Sequence, residues 1–348
     1  DFCLSRGLGD VYKRQIYTLG LMKMKFLLKS YVLVTLVIIL TIVSLFVGVS
    51  KLALTDIFHL SSEQINILIS SRIPRTVSIL ISGSSIALAG LMMQHMMQNK
   101  FVSPTTAGTM EWAKLGILIS LTVFPESPIM LKLLFAVGCS LIGTALFVKL
   151  VSLIQVKEVI FIPLLGIMLG GIVSSFTTFI ALRTNAVQSI GNWLNGNFAI
   201  ITSGRYEVLY LSIPLLIVTY AFAQYFTIVG MGKEFSHNLG VNYELMVNIA
   251  LFITATMTAL VVVTVGTLPF LGLIVPNIIS IYRGDHLKNT LPHTMLLGAC
   301  FVLISDIIGR LIVFPYEINI GLTIGVFGTI IFLILLMKGR KNYANELE

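Results

Sequence analysis

The chain has 348 residues, of which 56% are hydrophobic and only 11% charged, with a mean hydropathy of +0.96 and a formal net charge of +8. Soluble domains carry charge on about a quarter of their residues, so this composition excludes one and specifies a polytopic membrane protein. The positive balance does not point to nucleic acid, because a basic excess spread over inner loops is what membrane insertion itself demands.

Residues 1–21, beginning DFCLSRGLGDVYKRQ, open without Met and share no pattern with the rest of the chain, whereas Met22 and Met24 stand before the first basic and apolar run. They are read as a non-native or disordered leader, and residues 22–348 as a single transmembrane domain. Apolar runs long enough to cross about 30 Å of hydrocarbon occur at 31–49, 76–97, 105–124, 129–153, 159–182, 207–228, 244–265, 268–282, 291–310 and 319–337. Ten spans are therefore expected. Arg72 and Arg75 stand just before the second, where three-residue spacing puts them on one helix face, and the span ends in a polar turn closed by Pro104. Glu111 and Lys114 interrupt the third span, Pro214 the sixth, and the short eighth contains Pro276. Glycines recur in the second (Gly83, Gly90), fifth (Gly166, Gly170, Gly171) and tenth (Gly321, Gly325, Gly328), where small residues let helix backbones approach closely.

Between the fifth and sixth spans, residues 188–206 carry Trp193 and Phe198 among Asn and Gly. That suits a short interfacial helix, either an aromatic anchor or part of a solute entry. Between the sixth and seventh, VGMGKEFSHNLGVNYELM predicts one or two short helices along the membrane surface, the first ended by Gly240 in a left-handed cap. An even number of spans returns both termini to one side. If that side is cytoplasmic, twelve Lys and Arg belong to inner segments against seven on outer ones, so both termini are expected inside.

Enzymatic constellations are missing: no HExxH, GxSxG or GxxxxGK[ST] occurs. The nearest phosphate-loop lookalike, Gly230-Met231-Gly232-Lys233, has Thr227 in the place of the first glycine and Glu234 where Ser or Thr would hold magnesium. His59, His95, His237, His286 and His293 scatter near span ends, and Cys3, Cys139 and Cys300 show no ligand spacing, so no metal or cofactor is expected. Glu111 with Lys114, and Asp306 with Arg310, have helix-neighbour spacing and read as mutually neutralising pairs. A lone midplane carboxylate, which ion-coupled carriers usually need, is absent from the spans.

Six ordered blocks remain: RIPRT at 72–76, SGSSIALAGLMMQHMMQN at 82–99, KEFSHNLGV at 233–241, GTLPFLGLIVPNIISIYRGDHLKNTLP at 266–292, SDIIGR at 305–310 and EINIGLTIGVFGTIIFLILL at 317–336. Together they resemble the permease subunits of ferric-siderophore, haem and cobalamin ABC importers, the FecCD or BtuC-like family. The resemblance covers most of residues 60–340. It implies an all-α, polytopic fold of about ten transmembrane helices, the type II importer permease fold, in a bacterial plasma membrane. It also implies transport without an ATPase site of its own, energised by two separate ATP-binding subunits. By the same resemblance Arg72, Arg75 and Arg310 face outward to meet acidic residues on an extracytoplasmic solute-binding protein, with Asp306 holding Arg310 outward. A coupling loop at about 230–243, with Lys233, Glu234, Leu239 and Gly240, would rest in a groove of the ATP-binding subunit. The translocation path would run between two permeases, lined by Leu164, Gly166, Gly170, Gly171, Ser174, Ser175 and Trp193.

Where much of that family has Asn-Pro-Leu-Ala-Asp/Glu-Pro, this chain reads Asn99-Lys100-Phe101-Val102-Ser103-Pro104, and TTAGTMEWAKLG comes next in place of a Gly-Ser-rich run. The variant looks like the branch handling ferric catecholate and related siderophores, including petrobactin- and anguibactin-type systems, in which two different permeases commonly pair. A heterodimer is accordingly favoured over a homodimer. The expected function is uptake of an iron(III)-siderophore complex; haem or cobalamin uptake in the same family, or an ion-coupled secondary carrier, are the alternatives.

Overall fold

Backbone polar groups inside hydrocarbon have no water to bind, so a run of apolar residues satisfies them within itself and becomes a helix. The computed structural model describes residues 28–48, 61–126, 128–154, 160–194 and 196–346, and among these there is no strand. The expected leader, residues 1–21, lies outside the described residues.

Helix α1 (Ser30–Phe46) comes first. The short α2 (Ser62–Ile67) starts on a capping box between Ser61 and Gln64 and passes through a π-helical turn, Leu68–Arg72, into α3 (Ile73–Met96). Beyond it come α4 (Thr109–Val123), α5 (Ile129–Ile154), α6 (Phe161–Arg183), α7 (Val187–Leu194), a 3₁₀ turn at Tyr206–Leu211, α8 (Ser212–Ala221), α9 (Ala223–Val229), α10 (Lys233–Asn238), α11 (Tyr243–Thr264), α12 (Leu271–Arg283), α13 (Leu287–Leu311) and α14 (Ile320–Glu346). Every expected span coincides with one of these helices, the sixth with the bent α8–α9 pair. Among the described residues, five helices are by themselves long and apolar enough to cross a membrane, namely the α2–α3 rod, α5, α6, α11 and α13. The α8–α9 pair, with its preceding 3₁₀ turn, makes a sixth if its 65° bend is counted within one span. Helices α1, α4 and α12 are shorter, at 17, 15 and 13 residues.

The prolines act as their positions dictate. Pro214 stands in the first turn of α8, where its missing N–H has no helical acceptor to lose. Pro276 lies inside α12 and leaves the Gly272 carbonyl without its helical donor. That carbonyl faces Gly90 so closely that a Cβ there would lie 1.8 Å from the oxygen.

Helix α3 is the centre of the bundle, buried along most of its length and packed against α13, α11 and α12. Gly83 meets the α13 backbone as Gly90 meets that of α12: a Cβ on Gly83 would stand 2.8 Å from the Gly298 carbonyl oxygen. Helix α6 turns Pro163, Gly166, Gly170, Val173 and Thr177 toward the protein, and α4 is the helix it packs on most closely. One expectation is corrected. Helix α7 does form, but Phe198 is no interfacial anchor; at 1% exposure it belongs to the main core with Ile201 and Leu268. The core claims it because the chain after α7 folds inward, where the Asn197 N–H donates to the Val265 carbonyl.

Candidate functional site

Two polar regions stand out, at opposite ends of α3. The first forms where α1 stops. A helix C-terminus leaves carbonyls without intrahelical donors and carries partial negative charge, so cations collect there. Arg72 Nη1 donates to the Leu45 carbonyl at 2.5 Å. Arg310 Nη1 donates to the carbonyls of Ser44 and Val47 at 3.0 and 2.7 Å, and its Nη2 to Ser44 Oγ at 2.7 Å. Arg75 turns the other way, its Nη2 2.8 Å from Asp306 Oδ1 and its Nη1 2.7 Å from Glu317 Oε2. Asp306 also meets Arg310, Oδ2 to Nη2 at 2.6 Å, as an ion pair rather than an aligned hydrogen bond.

The three arginines expected at the outer face are therefore brought together, with Asp306 bridging two of them. Side-chain exposures are 2% for Asp306, 5% for Arg310, 13% for Arg75 and 29% for Glu317. The expectation that Asp306 holds Arg310 outward is not met. Arg310 is drawn inward because the end of α1 offers three acceptors within reach. Sequence reasoning missed Glu317 as the outer partner of Arg75; the available signal was an acid in the short segment just after Arg310. Beside the cluster a cavity of about 200 Å³ opens between Phe46, Arg310, Phe314, Pro315 and Glu317.

At the other end stands α10. The Gly240 and Val241 N–H groups donate back to the His237 and Ser236 carbonyls, with Gly240 at φ +71°, closing the helix in a left-handed cap as its sequence predicts. Ser236 Oγ donates to the carbonyls of Gly232 and Ile228, so α10 is fastened to α9, and Gln98 Nε2 donates to the Gly230 carbonyl, which ties the end of α9 to the turn after α3. Lys233 pairs with Glu244 at 3.1 Å on the surface. Leu239 is exposed, and so are Met231 and Phe235, which sequence reasoning passed over although their four-residue spacing with Leu239 was visible. An open groove of about 940 Å³ runs along Lys233, Glu234, His237, Gly240 and Glu244.

Lys100, in the variant turn after α3, forms an ion pair with Asp285 and donates to Ser280 Oγ at 2.8 Å. Burial pushes the Asp285 carboxyl up, but hydrogen bonds from Lys100 and Ser280 outweigh it and hold the group below the usual carboxylate range. A depressed carboxyl contributes its stability above its unfolded pKa and loses it as pH falls through the folded one. Protection of the backbone amides in the 99–104 turn, exchange taken relative to the intrinsic rate at each pH, should thus be flat from neutral pH down to the ordinary aspartate value of about 4 and fall only below it. Asp285→Asn should show the lowered protection already at pH 7; equal protection in variant and parent would refute the tie.

The residues expected to line the path do not share one face. A Cβ on Gly166 would lie 2.2 Å from the Thr106 carbonyl oxygen, and Gly170 abuts Gly108, so both are packing glycines toward α4. Leu164, Gly171 and Ser175 are exposed on the opposite side of α6. Ser174 borders a cavity of about 40 Å³ with Thr177, Thr178 and the Glu111–Lys114 pair, whose charges meet at 2.6 Å as their spacing predicts. Trp193 lies on α7, and its side chain is outside the described residues.

Among known proteins, the model of the FecCD transport family matches residues 36–338. The petrobactin import system permease protein YclN of Bacillus subtilis is 54% identical over 317 residues, covering 91% of this chain and 100% of the relative. The ferric-anguibactin transport system permease protein FatD of Vibrio anguillarum is 36% identical over 274 residues, covering 79% and 87%. A solved inward-facing ABC transporter, described as of metal-chelate type, superposes with a TM-score of 0.75 at 23% identity over 89% of this chain and 98% of that one, a likeness of fold.

Proposed function

This chain belongs to the FecCD transport family, and from that membership we propose that it is the permease subunit of a bacterial ABC importer for iron(III)-siderophore complexes. The observation that carries the reading is the 54% identity to a petrobactin import permease along that relative's whole length. The chain is a polytopic membrane protein and a transport component. In this reading it hydrolyses nothing: ATP is turned over by two separate subunits, and a second permease, different from this one, completes the conduit.

The two polar regions take the roles such an importer needs. The cluster of Arg72, Arg75 and Arg310 lies at the extracytoplasmic side, where Arg75, whose guanidinium keeps its charge at any working pH, is the group that meets a carboxylate of the loaded solute-binding protein. Arg72 and Arg310 brace that face from behind through the end of α1. Both termini and α10 lie on the cytoplasmic side, where Lys233, Glu234, Leu239 and Gly240, now joined by Met231 and Phe235, seat in the ATP-binding subunit. Because α10 is fastened to α9, and the end of α9 to the turn after α3, closure of the ATPase dimer is transmitted to the centre of the bundle. The solute passes between the paired permeases, along the exposed side of α6 that carries Leu164, Gly171 and Ser175.

Proteoliposomes holding the assembled transporter provide the test. Ferric petrobactin delivered by the binding protein should accumulate only with ATP inside and should be indifferent to a protonophore. Accumulation by this chain alone, or collapse with the proton gradient, would refute the reading. Equal uptake of haem or cobalamin would move the substrate assignment elsewhere in the family.

A further inference from the structure

We propose that Glu317 is an internal stand-in for a partner's carboxylate: it occupies Arg75 in the free permease and is displaced when an acidic side chain of the docking solute-binding protein takes over that guanidinium edge. The inference rests on the docking reading above and adds to it the mechanism by which a closed cluster opens.

The two carboxylates of the cluster are not equivalent. Asp306 is buried between Arg75 and Arg310, whereas Glu317 sits at the rim and meets Arg75 through Nη1. Arg75 is held from behind, its Nε and Nη2 donating to Asp306 Oδ1 at 3.3 and 2.8 Å. If Glu317 leaves, the guanidinium stays aimed outward with Nη1 presented, already positioned for a second carboxylate. Arg72 and Arg310 cannot exchange in the same way, because each donates to main-chain carbonyls at the end of α1.

Charge and space agree with this. Arg75 and Arg310 face Asp306 and Glu317, two charges against two; freeing Glu317 leaves that set with one net positive charge at the surface a partner meets. Glu317 also walls the 200 Å³ cavity, with Phe314 and Pro315 beside it, so a side chain that displaces Glu317 finds an apolar flank for its stem. Exchanging one rim ion pair for another changes little free energy, which suits a partner that must land and leave. A neutral surface has nothing with which to displace Glu317, so the same residue screens against non-acidic partners.

The test uses the assembled transporter in nanodiscs, titrated with the solute-binding protein of the same import system. Glu317→Gln keeps the shape and removes the competitor. It should tighten docking about two- to fivefold, in line with the worth of a rim ion pair, and steepen its salt dependence. Glu317→Ala should move affinity in the same direction. Unchanged or weaker docking by both variants, with melting temperatures like the parent's, overturns the stand-in role while leaving the docking face intact. Should Arg75→Gln dock like the parent, the docking reading itself fails, and the two failures are thereby told apart.

Discussion

Asp306→Ala should destabilise the arginine-bearing end of the bundle by about 3–5 kcal/mol, since removing one partner of a buried ionic group strands the others. Arg75 and Arg310 would then share a buried site with no carboxylate between them, and Glu317 reaches Arg75 from the rim. The Arg310 contacts to Ser44 and Val47 would weaken next, loosening α1 from α13. The measurement is thermal unfolding in detergent, followed by labelling of the buried Cys300 thiol. A pair of variants separates charge from packing: Asp306→Ala combined with Arg310→Met should recover part of the loss, because removing both members is less harmful than removing one. A single variant that melts with the parent would mean that the arginines are satisfied elsewhere.

Gly90→Ala should be as severe for a different reason. The added methyl would lie 1.8 Å from the Gly272 oxygen and 2.5 Å from its Cα, and both are backbone atoms that cannot rotate away. Overpacking costs about 1–3 kcal/mol where side chains can yield. Here the α3 and α12 axes would have to separate, so the loss should sit at or above the top of that range, visible as a collapse in folded yield. Gly171→Ala is the matched control, because a Cβ there meets nothing within 4 Å. It should leave stability unchanged or raise it by up to about 1 kcal/mol, the helix-propensity difference between Ala and Gly. Equal damage from both would show that helix flexibility, rather than contact, is what glycine provides.

The Gly90 contact also shows where sequence reading stops. That Gly83 and Gly90 serve close packing was legible from their place in an apolar run, and the structure agrees. Which helices they meet was not, since Gly272 and Gly298 lie about two hundred residues away and become neighbours only when α12 and α13 dock on α3. Gly166, Gly170 and Gly171 make the same point within one helix, where two pack inward and one faces out. Helix α6 is apolar on all sides, so no amphipathic pattern in its sequence distinguishes the side that meets protein from the side that does not.

The apolar helices, the left-handed close of α10 and the family were legible in the order of residues alone, because each depends on local matters: run length against bilayer thickness, a glycine at a cap, and ordered motif blocks. That Arg72 and Arg310 turn inward to the end of α1, that Arg75 reaches Glu317 and that Phe198 is core became visible once the helices were docked. The direction of a long cationic side chain depends on which acceptors lie within a few ångströms, and here those acceptors come from helices far apart in the chain.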